Sequence, residues 1–558
     1  MSDRTQSNKI CGRTAFVELL QAEGVGQIFG NPGTTELPIM HALADHPEMG
    51  YVLGLQEAIV VAMADGYARA SGKLAACNVH VAPGLGNAIG ALYTAQVSGT
   101  PLIVTAGQQE QGHGLKEPLL YAPLVPIAAP VVKWATEVAR LADLPRIMHR
   151  AAKVALTPPT GPVFISLPGD ILNDLGAIEL GEPTRVDAAA RPSDAALRRL
   201  AERLLAAARP LIIAGSEIVT SDAFEEAARF AEVLGAPVHQ QTVVSGAHFP
   251  SEHPLFLGQL SRDQRWVREL LTPYDTLICV GADVLQMSVH SEVEPLPSHM
   301  EVIQIGLRDW EMGKNYPAAL AVRADVKETL RALIPVLAES GGAARRERAQ
   351  ATIAEVASQN WSAKREARRG AAAKQASAMP IAAEWLMMRL CEHLPEDAII
   401  VDEGLTSAAS LNSFFAFRDR YGYFGNISGG IGWGIAAAVG VQLAQRSRRV
   451  VAIIGDGSAM YSIQALWSAA NQKLPVVFVV CNNGGYRILK QRLKAFHSDE
   501  RFIGMDFRDP DIDVAGLARS FGVQAHRVED GPTFEATFKE ALAGAEPVLL
   551  DVIVDGTV

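Results

Sequence analysis

From Arg448 to Leu489 the chain alternates apolar runs and turn-forming stretches in the pattern of one βαβ unit. An unbroken apolar run rich in β-branched residues, Val450 to Ile454, predicts a strand covered on both faces. It ends in Gly455-Asp456-Gly457-Ser458. Met460, Ile463, Leu466, Trp467 and Ala470 then recur near helical spacing until Leu474-Pro475 stops the helix. Val476 to Val480 predicts a second buried strand, which ends in Cys481-Asn482-Asn483. Strand, helix and strand in this succession make the two strands parallel. Their carboxyl ends therefore share the sheet edge at which open α/β sheets bind ligands.

The same alternation extends over most of the chain and predicts an α/β protein of three domains, each with a parallel sheet flanked by helices. Residues 1–185 form the first. It has strands at Gly26 to Phe29, Tyr51 to Leu55, Leu74 to Val79 and Pro101 to Thr105, and Gly161 to Pro168 closes it. A helix from Ala58 to Ala70, apolar around most of its circumference, stops at Ser71-Gly72. A polar, Pro-containing stretch, Glu182 to Asp194, reads as a linker. Strands at Pro210 to Gly215, Thr276 to Val280 and Glu301 to Ile305 place a central domain at 195–340. It resembles a nucleotide-binding half-fold but contains no GxGxxG. Residues 341–378, rich in Ala, Arg, Lys and Glu, read as a solvated helical linker. The last domain, 379–558, contains the βαβ unit and echoes the first.

Several strand ends carry residues able to do chemistry. Asp456 and Asn483 meet at one edge, where a carboxylate, an amide oxygen and the Gly485 carbonyl supply three hard oxygen ligands for a cation such as Mg²⁺. Gly457 and Ser458 offer backbone N–H groups to phosphate oxygens at a helix start; an ordinary strand-end turn with Asp as a cap is the alternative. Glu57 places a carboxyl at the start of an apolar helix. It needs a hydrogen-bonding mate or protonation there, and nearby backbone N–H groups are the plain solution. His80 ends a strand beside Pro83-Gly84 and suits proton transfer near neutral pH. Asn31-Pro32-Gly33 forms a tight turn at another strand end. Gly429-Gly430-Ile431-Gly432-Trp433-Gly434 precedes a small-residue helix, Ile435 to Ala444.

Composition narrows the class. The chain of 558 residues is 49% hydrophobic and 20% charged, with a net charge of −11 and no concentrated basic block, which argues against nucleic acid as the main partner. Five scattered cysteines without a CxxC read as buried thiols in a reducing compartment. No run of eighteen apolar residues and no signal core is present, so the expectation is a cytoplasmic protein with no membrane partner.

Twenty-four residues separate Gly457 from Asn482, and GDG followed at that interval by NN resembles the diphosphate motif of thiamine diphosphate (ThDP) enzymes. The resemblance covers the chain: GNPGTTELP at Gly30 to Pro38, LQEA at Leu55 to Ala58, ADGYARAS at Ala64 to Ser71, PLIVTAGQQ at Pro101 to Gln109, and IGDGSAMYSIQALWSAA at Ile454 to Ala470. It is to the decarboxylases of the pyruvate decarboxylase and acetolactate synthase superfamily, and most closely to the benzoylformate decarboxylase type.

The resemblance implies ThDP and Mg²⁺ as cofactors. It also implies a homotetramer with each cofactor between two subunits, and non-oxidative decarboxylation of a 2-oxo acid to an aldehyde and CO₂. By that resemblance Glu57 activates the cofactor, His80, Thr34 and His290 handle protons, and Ile431 is the wedge beneath the cofactor. Asn31, Pro32, Gly33, Thr406, Gly429, Asp456, Gly457, Ser458, Asn483, Gly485 and Tyr486 contact the cofactor, with Asp456, Asn483 and Gly485 on the metal. Leu489, Arg492 and Leu493 line the substrate pocket. His290 is displaced by two residues from the family position, and Thr34 stands where a catalytic serine is expected. Arg487, Lys490, Arg492 and Lys494 replace a largely apolar run; an arginine at 492 would favour an additional negative charge on the substrate or point to solvent. An acetolactate synthase-like carboligase, a 2-hydroxyacyl-CoA lyase and a non-catalytic ThDP-binding subunit are the alternatives; intact Glu57, His80, Asp456 and Asn483 argue against the last.

Overall fold

The computed structural model describes residues 9–287 and 291–558; His290 lies outside the described residues. Each predicted domain contains a six-stranded parallel sheet. In the first, the strands lie in the order Gly50–Leu53, Gln27–Gly30, Ala75–Val79, Leu102–Gln108, Val163–Pro168 and Trp134–Glu137. The last domain runs Tyr423–Gly425, Ile399–Glu403, Val450–Gly455, Val477–Asn482, Val548–Ile553 and Gln524–Val528. Ranked by position in the chain, both sheets read 2-1-3-4-6-5, so the echo seen in the sequence is a shared topology. The central sheet differs: Phe256–Gln259, Val238–Gln240, Pro210–Ala214, Thr276–Val280, Glu301–Gly306 and Leu320–Arg323 read 3-2-1-4-5-6, the dinucleotide-binding order.

Two expectations change. The segment expected as a solvated connecting helix is a helix from Val326–Val356, interrupted at Gly342 (φ 58°), followed by a second, Trp361–Ala372. Trp361 is buried and its Nε1 donates to the Asn412 carbonyl at 2.8 Å, so this linker is anchored on the last domain rather than solvated throughout. The single helix expected after Asp456 is two short ones, Asp456–Ser462 and Ala465–Asn471. The Asp456-Gly457 turn is thus itself the first turn of a helix.

What joins the first and last domains is a crossing of the helices Glu57–Ser71 and Gly434–Ala444. A β-carbon on Gly66 would lie 2.3 Å from the Ala437 carbonyl oxygen, and one on Gly440 would lie 1.9 Å from that of Met63. Only glycine permits this backbone approach. Both helices are buried almost throughout because each is covered by its own sheet and by the other helix. Asp65 secures the crossing by accepting from the Trp433 Nε1 at 2.7 Å and the Thr100 hydroxyl at 2.5 Å. Arg69 reaches the Ser245 carbonyl at 2.6 Å and the Gly425 carbonyl at 3.3 Å, tying the central domain to the same junction.

The crossing also separates the predicted site residues. Gly66 meets Ala437 while Met63 meets Gly440, so the helices are antiparallel. Glu57, nine residues before Gly66, is therefore about 14 Å from the crossing, on the side away from the glycine loop at 429–434. The loop instead approaches the C-terminal part of the helix Val81–Ser98, through a contact at 2.8 Å between the hydroxyls of Thr94 and Ser428, the residue just before the loop. Fourteen residues separate Thr94 from His80 at that helix's N-cap, about 21 Å of helix.

Candidate active site

One half of the site belongs to the last domain. Asp456 begins its helix at the end of Val450–Gly455, and its carboxylate accepts from the Gly457 N–H at 2.9 Å, the Gly484 N–H at 2.8 Å and the Gly485 N–H at 3.1 Å. Burial nevertheless outweighs these bonds and raises its pKa to about 6. Asn483 turns its Nδ2 toward the Ser407 hydroxyl at 3.4 Å, which leaves Oδ1 buried with no partner among the described residues; the Ser458 hydroxyl is equally unpartnered among them. Unpaired buried acceptors are costly, and a cation and a phosphate are the groups that would satisfy this set. No cluster of three His, Cys, Asp or Glu suited to a metal occurs among the described residues. The set at Asp456 is instead one carboxylate, one amide and the Gly485 carbonyl, the oxygen donors a hard cation takes. Tyr486 packs edge-on against Phe507, with ring centroids 4.7 Å apart, and closes this corner.

Glu403 was not singled out from the sequence. It is 3% exposed at the end of Ile399–Glu403 and accepts from the Asn426 amide at 2.7 Å, the Trp433 N–H at 3.1 Å and the Gly434 N–H at 2.9 Å. It thereby holds both ends of the loop that carries Gly429 and Ile431. Burial raises its pKa to about 7. Leu405, next to Thr406, has φ +48°, a left-handed conformation unusual for leucine that marks this strand end as constrained.

The other half belongs to the first domain. Glu57 is 8% exposed; its Oε2 accepts from the Asn87 Nδ2 at 3.0 Å, while the helix is capped by Gln56, whose Oε1 accepts from the Ala58 and Ile59 N–H groups. The backbone N–H groups expected to satisfy Glu57 thus bond to its neighbour, and the carboxyl is held by a side chain. His80 is held by Glu36, the second residue that the sequence reading passed over. Glu36 is fully buried; its Oε2 lies 2.7 Å from His80 Nδ1 and 2.9 Å from the Gly33 nitrogen, and its Oε1 accepts from the Gly107 N–H at 2.8 Å. A carboxylate at Nδ1 keeps the proton there, so Nε2 is the nitrogen left to exchange protons. The hydroxyl nearest the ring is that of Thr35, 3.1 Å from Nδ1, whereas Thr34 is exposed at the start of the 3₁₀ turn Thr34–Glu36. A β-carbon on Gly33 would meet His80 Nδ1 at 2.2 Å, so the Asn31-Pro32-Gly33 turn packs directly on the imidazole. Val81 has φ +45°, a strained position for a β-branched residue immediately after His80. The signal for Glu36 was present as an acid within GNPGTTELP, but only the fold shows that it faces His80.

On the helix Arg487–His497, three of the four basic residues are engaged by the chain itself. Arg487 donates to the Thr557 carbonyl at 3.0 Å, Lys490 pairs with Asp506, and Lys494 lies 2.8 Å from Glu500. Arg492 lies over the Phe496 ring, with its guanidinium carbon 5.8 Å from the ring centroid. Leu489 is exposed and Leu493 half-buried.

Paired strand ends of the last domain that carry buried, unpartnered oxygens, and a buried carboxyl and a carboxylate-held histidine in a first domain of the same topology, fit a ThDP enzyme. The chain belongs to the thiamine pyrophosphate enzyme family: residues 10–118 match its N-terminal TPP binding domain, 197–333 its central domain and 405–552 its C-terminal TPP binding domain. Benzoylformate decarboxylase from Pseudomonas aeruginosa is 34% identical over 97% of this chain and 98% of its own length. The solved structure of the ThDP-dependent 4-hydroxybenzoylformate decarboxylase from Rhodococcus jostii superposes with a TM-score of 0.86 at 31% identity, covering 98% of this chain and 99% of that one. A probable acetolactate synthase large subunit from Methanocaldococcus jannaschii is 27% identical over 98% of this chain and 92% of its own length. No helix among the described residues is long and apolar enough to cross a membrane.

Proposed function

We propose that the protein catalyses Mg²⁺- and ThDP-dependent, non-oxidative decarboxylation of a 2-oxo acid to an aldehyde and CO₂, in the manner of benzoylformate decarboxylase. The observation that carries the cofactor reading is the unpartnered Asn483 Oδ1 beside the buried Asp456 carboxyl, an acceptor pair that needs a cation. Asp456, Asn483 and the Gly485 carbonyl would hold the metal. Gly457, Ser458 and Tyr486 would lie along the diphosphate, with Thr406, Gly429, Ile431 and the Asn31 to Gly33 turn around the rings. ThDP, when bound, supplies the nucleophilic carbon and the electron sink that loss of CO₂ requires.

The chain's own residues supply the proton chemistry. Glu57 holds a proton at the aminopyrimidine nitrogen. His80, with Nδ1 fixed by Glu36, exchanges protons with the substrate through Nε2. Thr34 adds a hydroxyl at the exposed start of its turn, and His290 is kept as a proton carrier by the resemblance alone.

Because the antiparallel helix crossing holds Glu57 and His80 apart from the Ile431 loop of the same chain, each site takes its two halves from two copies. Exposed large apolar side chains occur on both halves, including Leu37, Leu55 and Tyr93 on one and Leu405 and Tyr461 on the other, as an interface requires. The homotetramer implied by the resemblance would contain two such pairs. Arg487, Lys490 and Lys494 are each engaged by the chain itself, which favours the decarboxylase reading over an acyl-CoA lyase that would use them.

Two experiments test this reading. Benzoylformate, with Mg²⁺ and ThDP, should yield benzaldehyde and CO₂; acetolactate from pyruvate, without benzoylformate turnover, would replace the reading by a carboligase. Co-expressing Glu57→Gln and Asp456→Ala chains, each inactive alone, should restore roughly a quarter of wild-type activity, since mixed pairs contain one intact site. No restoration would place the whole site within a single chain.

A further inference from the structure

Ile431 stands in a loop that the fold supports unevenly. On one side, Asn426, Ser428, Gly429 and Ile431 line a cleft of about 1080 Å³ between the last and central domains. A β-carbon on Gly429 (φ +78°) would meet nothing within 4 Å among the described residues. On the other side the loop is packed: a β-carbon on Gly432 (φ +100°) would lie 2.5 Å from that of Tyr461, on the helix that Asp456 begins. Packing thus stops the loop from moving toward that helix. Movement into the cleft has to be resisted by hydrogen bonds.

Those bonds converge on one carboxyl. Glu403 Oε1 accepts from the Asn426 Nδ2 at 2.7 Å and from the Trp433 N–H at 3.1 Å, and Oε2 accepts from the Gly434 N–H at 2.9 Å. Asn426 passes the hold on, since the same Nδ2 donates to the Gly430 carbonyl at 2.5 Å. Its Oδ1 accepts from the Ser428 hydroxyl at 3.1 Å, and the oxygen of that hydroxyl accepts from the Gly430 N–H at 3.0 Å. Gly430 is therefore tied to Glu403 through Asn426, and Trp433 and Gly434 are tied to it directly. Ile431 lies between the two arms. A β-carbon on Gly434 would come within 2.9 Å of that of Glu403, so strand end and loop meet with no room for a side chain between them.

The three groups bonded to the carboxyl are all N–H donors, and two of them open the helix Gly434–Ala444, whose positive end favours an anion. A carboxylate accepts from all three, whereas an amide in its place would set an N–H against an N–H. The neighbouring acid cannot take over. Asp402 accepts from the Tyr423 hydroxyl at 2.7 Å and from the Gly404 N–H at 2.9 Å.

We infer that Glu403 is a positioning residue for the proposed reaction: through the two arms of this network it fixes the height of Ile431, and with it the support on which the cofactor rings would rest. This rests on the decarboxylase reading and adds to it a residue that acts through Ile431 rather than on the substrate.

Glu403→Gln keeps the size of the side chain and turns one of its contacts repulsive. In the cofactor-free chain, hydrogen exchange over residues 426–434, read by mass spectrometry, should quicken by about tenfold or more, the scale of one lost charge-assisted bond. In the holoenzyme, turnover is counted per ThDP-loaded site measured by calorimetry. There kcat should fall by about 10- to 100-fold while KM stays within about threefold, because a small displacement of the support acts on the reacting geometry more than on binding. Glu403→Asp, a carboxylate one methylene shorter, should retain more of kcat than Glu403→Gln. Asn426→Ala removes one arm, leaves the carboxylate, and should move both readings in the same direction by less. Unchanged exchange in Glu403→Gln, or full kcat per loaded site, would overturn the inference. If that variant does not fold, Asn426→Ala decides by the same two readings. Should no 2-oxo acid turn over in the wild type, the decarboxylase reading fails, and exchange in the cofactor-free variants still decides whether Glu403 fixes the loop: faster exchange confined to 426–434 upholds it, and unchanged exchange sinks it.

Discussion

The last and central domains both carry acidic residues just beyond their parallel strands at a sheet edge suited to ligands, yet one edge is left unmatched and the other is satisfied from within. In the last domain Asp456 sits beside an amide oxygen and a hydroxyl that nothing among the described residues satisfies. In the central domain, where the strand order is that of dinucleotide-binding proteins, Glu217 and Asp283 occupy the corresponding crevice and are satisfied from within. Glu217 accepts from the Leu307 N–H at 2.6 Å, and Asp283 lies 3.3 Å from Arg308. Burial raises the pKa of both carboxyls. A β-carbon on Gly215 would lie 2.3 Å from the Gly281 carbonyl, so this glycine serves contact between two strand-end loops, where a dinucleotide fold would use it to admit a pyrophosphate. Topology alone therefore does not make a site. An edge binds anions or metals only when its donors and acceptors are left unmatched.

The comparison is broken most sharply by deleting one carboxylate from each edge. Asp456→Ala should weaken Mg²⁺-dependent ThDP binding, read by calorimetry, by more than about a hundredfold, if Asp456 is the direct ligand proposed above. Glu217→Ala should leave ThDP affinity within about twofold and act on thermal stability alone, since its partners are internal. Equal losses in the two variants would mean that the central crevice communicates with the cofactor.

Within the first domain, Glu57→Gln should lower kcat by about 10²- to 10⁴-fold, the range of a positioned proton donor, while ThDP binding changes far less. Unchanged turnover would remove Glu57 from the mechanism.

Proton competition gives a smaller effect. Asp456 titrates at about 6 in the cofactor-free chain, raised from its ordinary value of 3.8 by burial. A cation must displace that proton whenever the pH lies below about 6, so Mg²⁺ affinity should fall by about tenfold per pH unit below that point and level off above it. The stability linkage has the complementary sign. The native carboxyl holds a proton that the unfolded chain has released, so its contribution is fully present below pH 3.8 and is lost as the pH rises through about 6. Bound Mg²⁺ should offset that loss; Mg²⁺-dependent ThDP titrations between about pH 5 and about pH 8 measure it.

The smallest change concerns the joint between the outer domains. Gly66→Val places a branched side chain against the Ala437 carbonyl and should cost about 1–3 kcal/mol in unfolding free energy, measured by denaturant titration. A neutral result would mean that the helices can part at little cost.

Much of this protein is legible in its sequence because the signals are local. Buried parallel strands read as short β-branched runs, and Val450 to Ile454 and Val476 to Val480 fall within the observed strands Val450–Gly455 and Val477–Asn482. Asp456, Asn483 and His80 were singled out because strand ends followed by glycine or proline are local patterns, and Glu57 because a carboxyl opens an apolar helix. What the tertiary structure alone decided are relations between distant segments. It set Glu36 against His80 and made Glu403 the anchor of the Ile431 loop. It also crossed two glycine-bearing helices so that Glu57 stands on the side away from the Ile431 loop of the same chain. Periodicity reports which face of a segment is buried, but not which segment covers it; that depends on packing and strand order, which are properties of the whole chain.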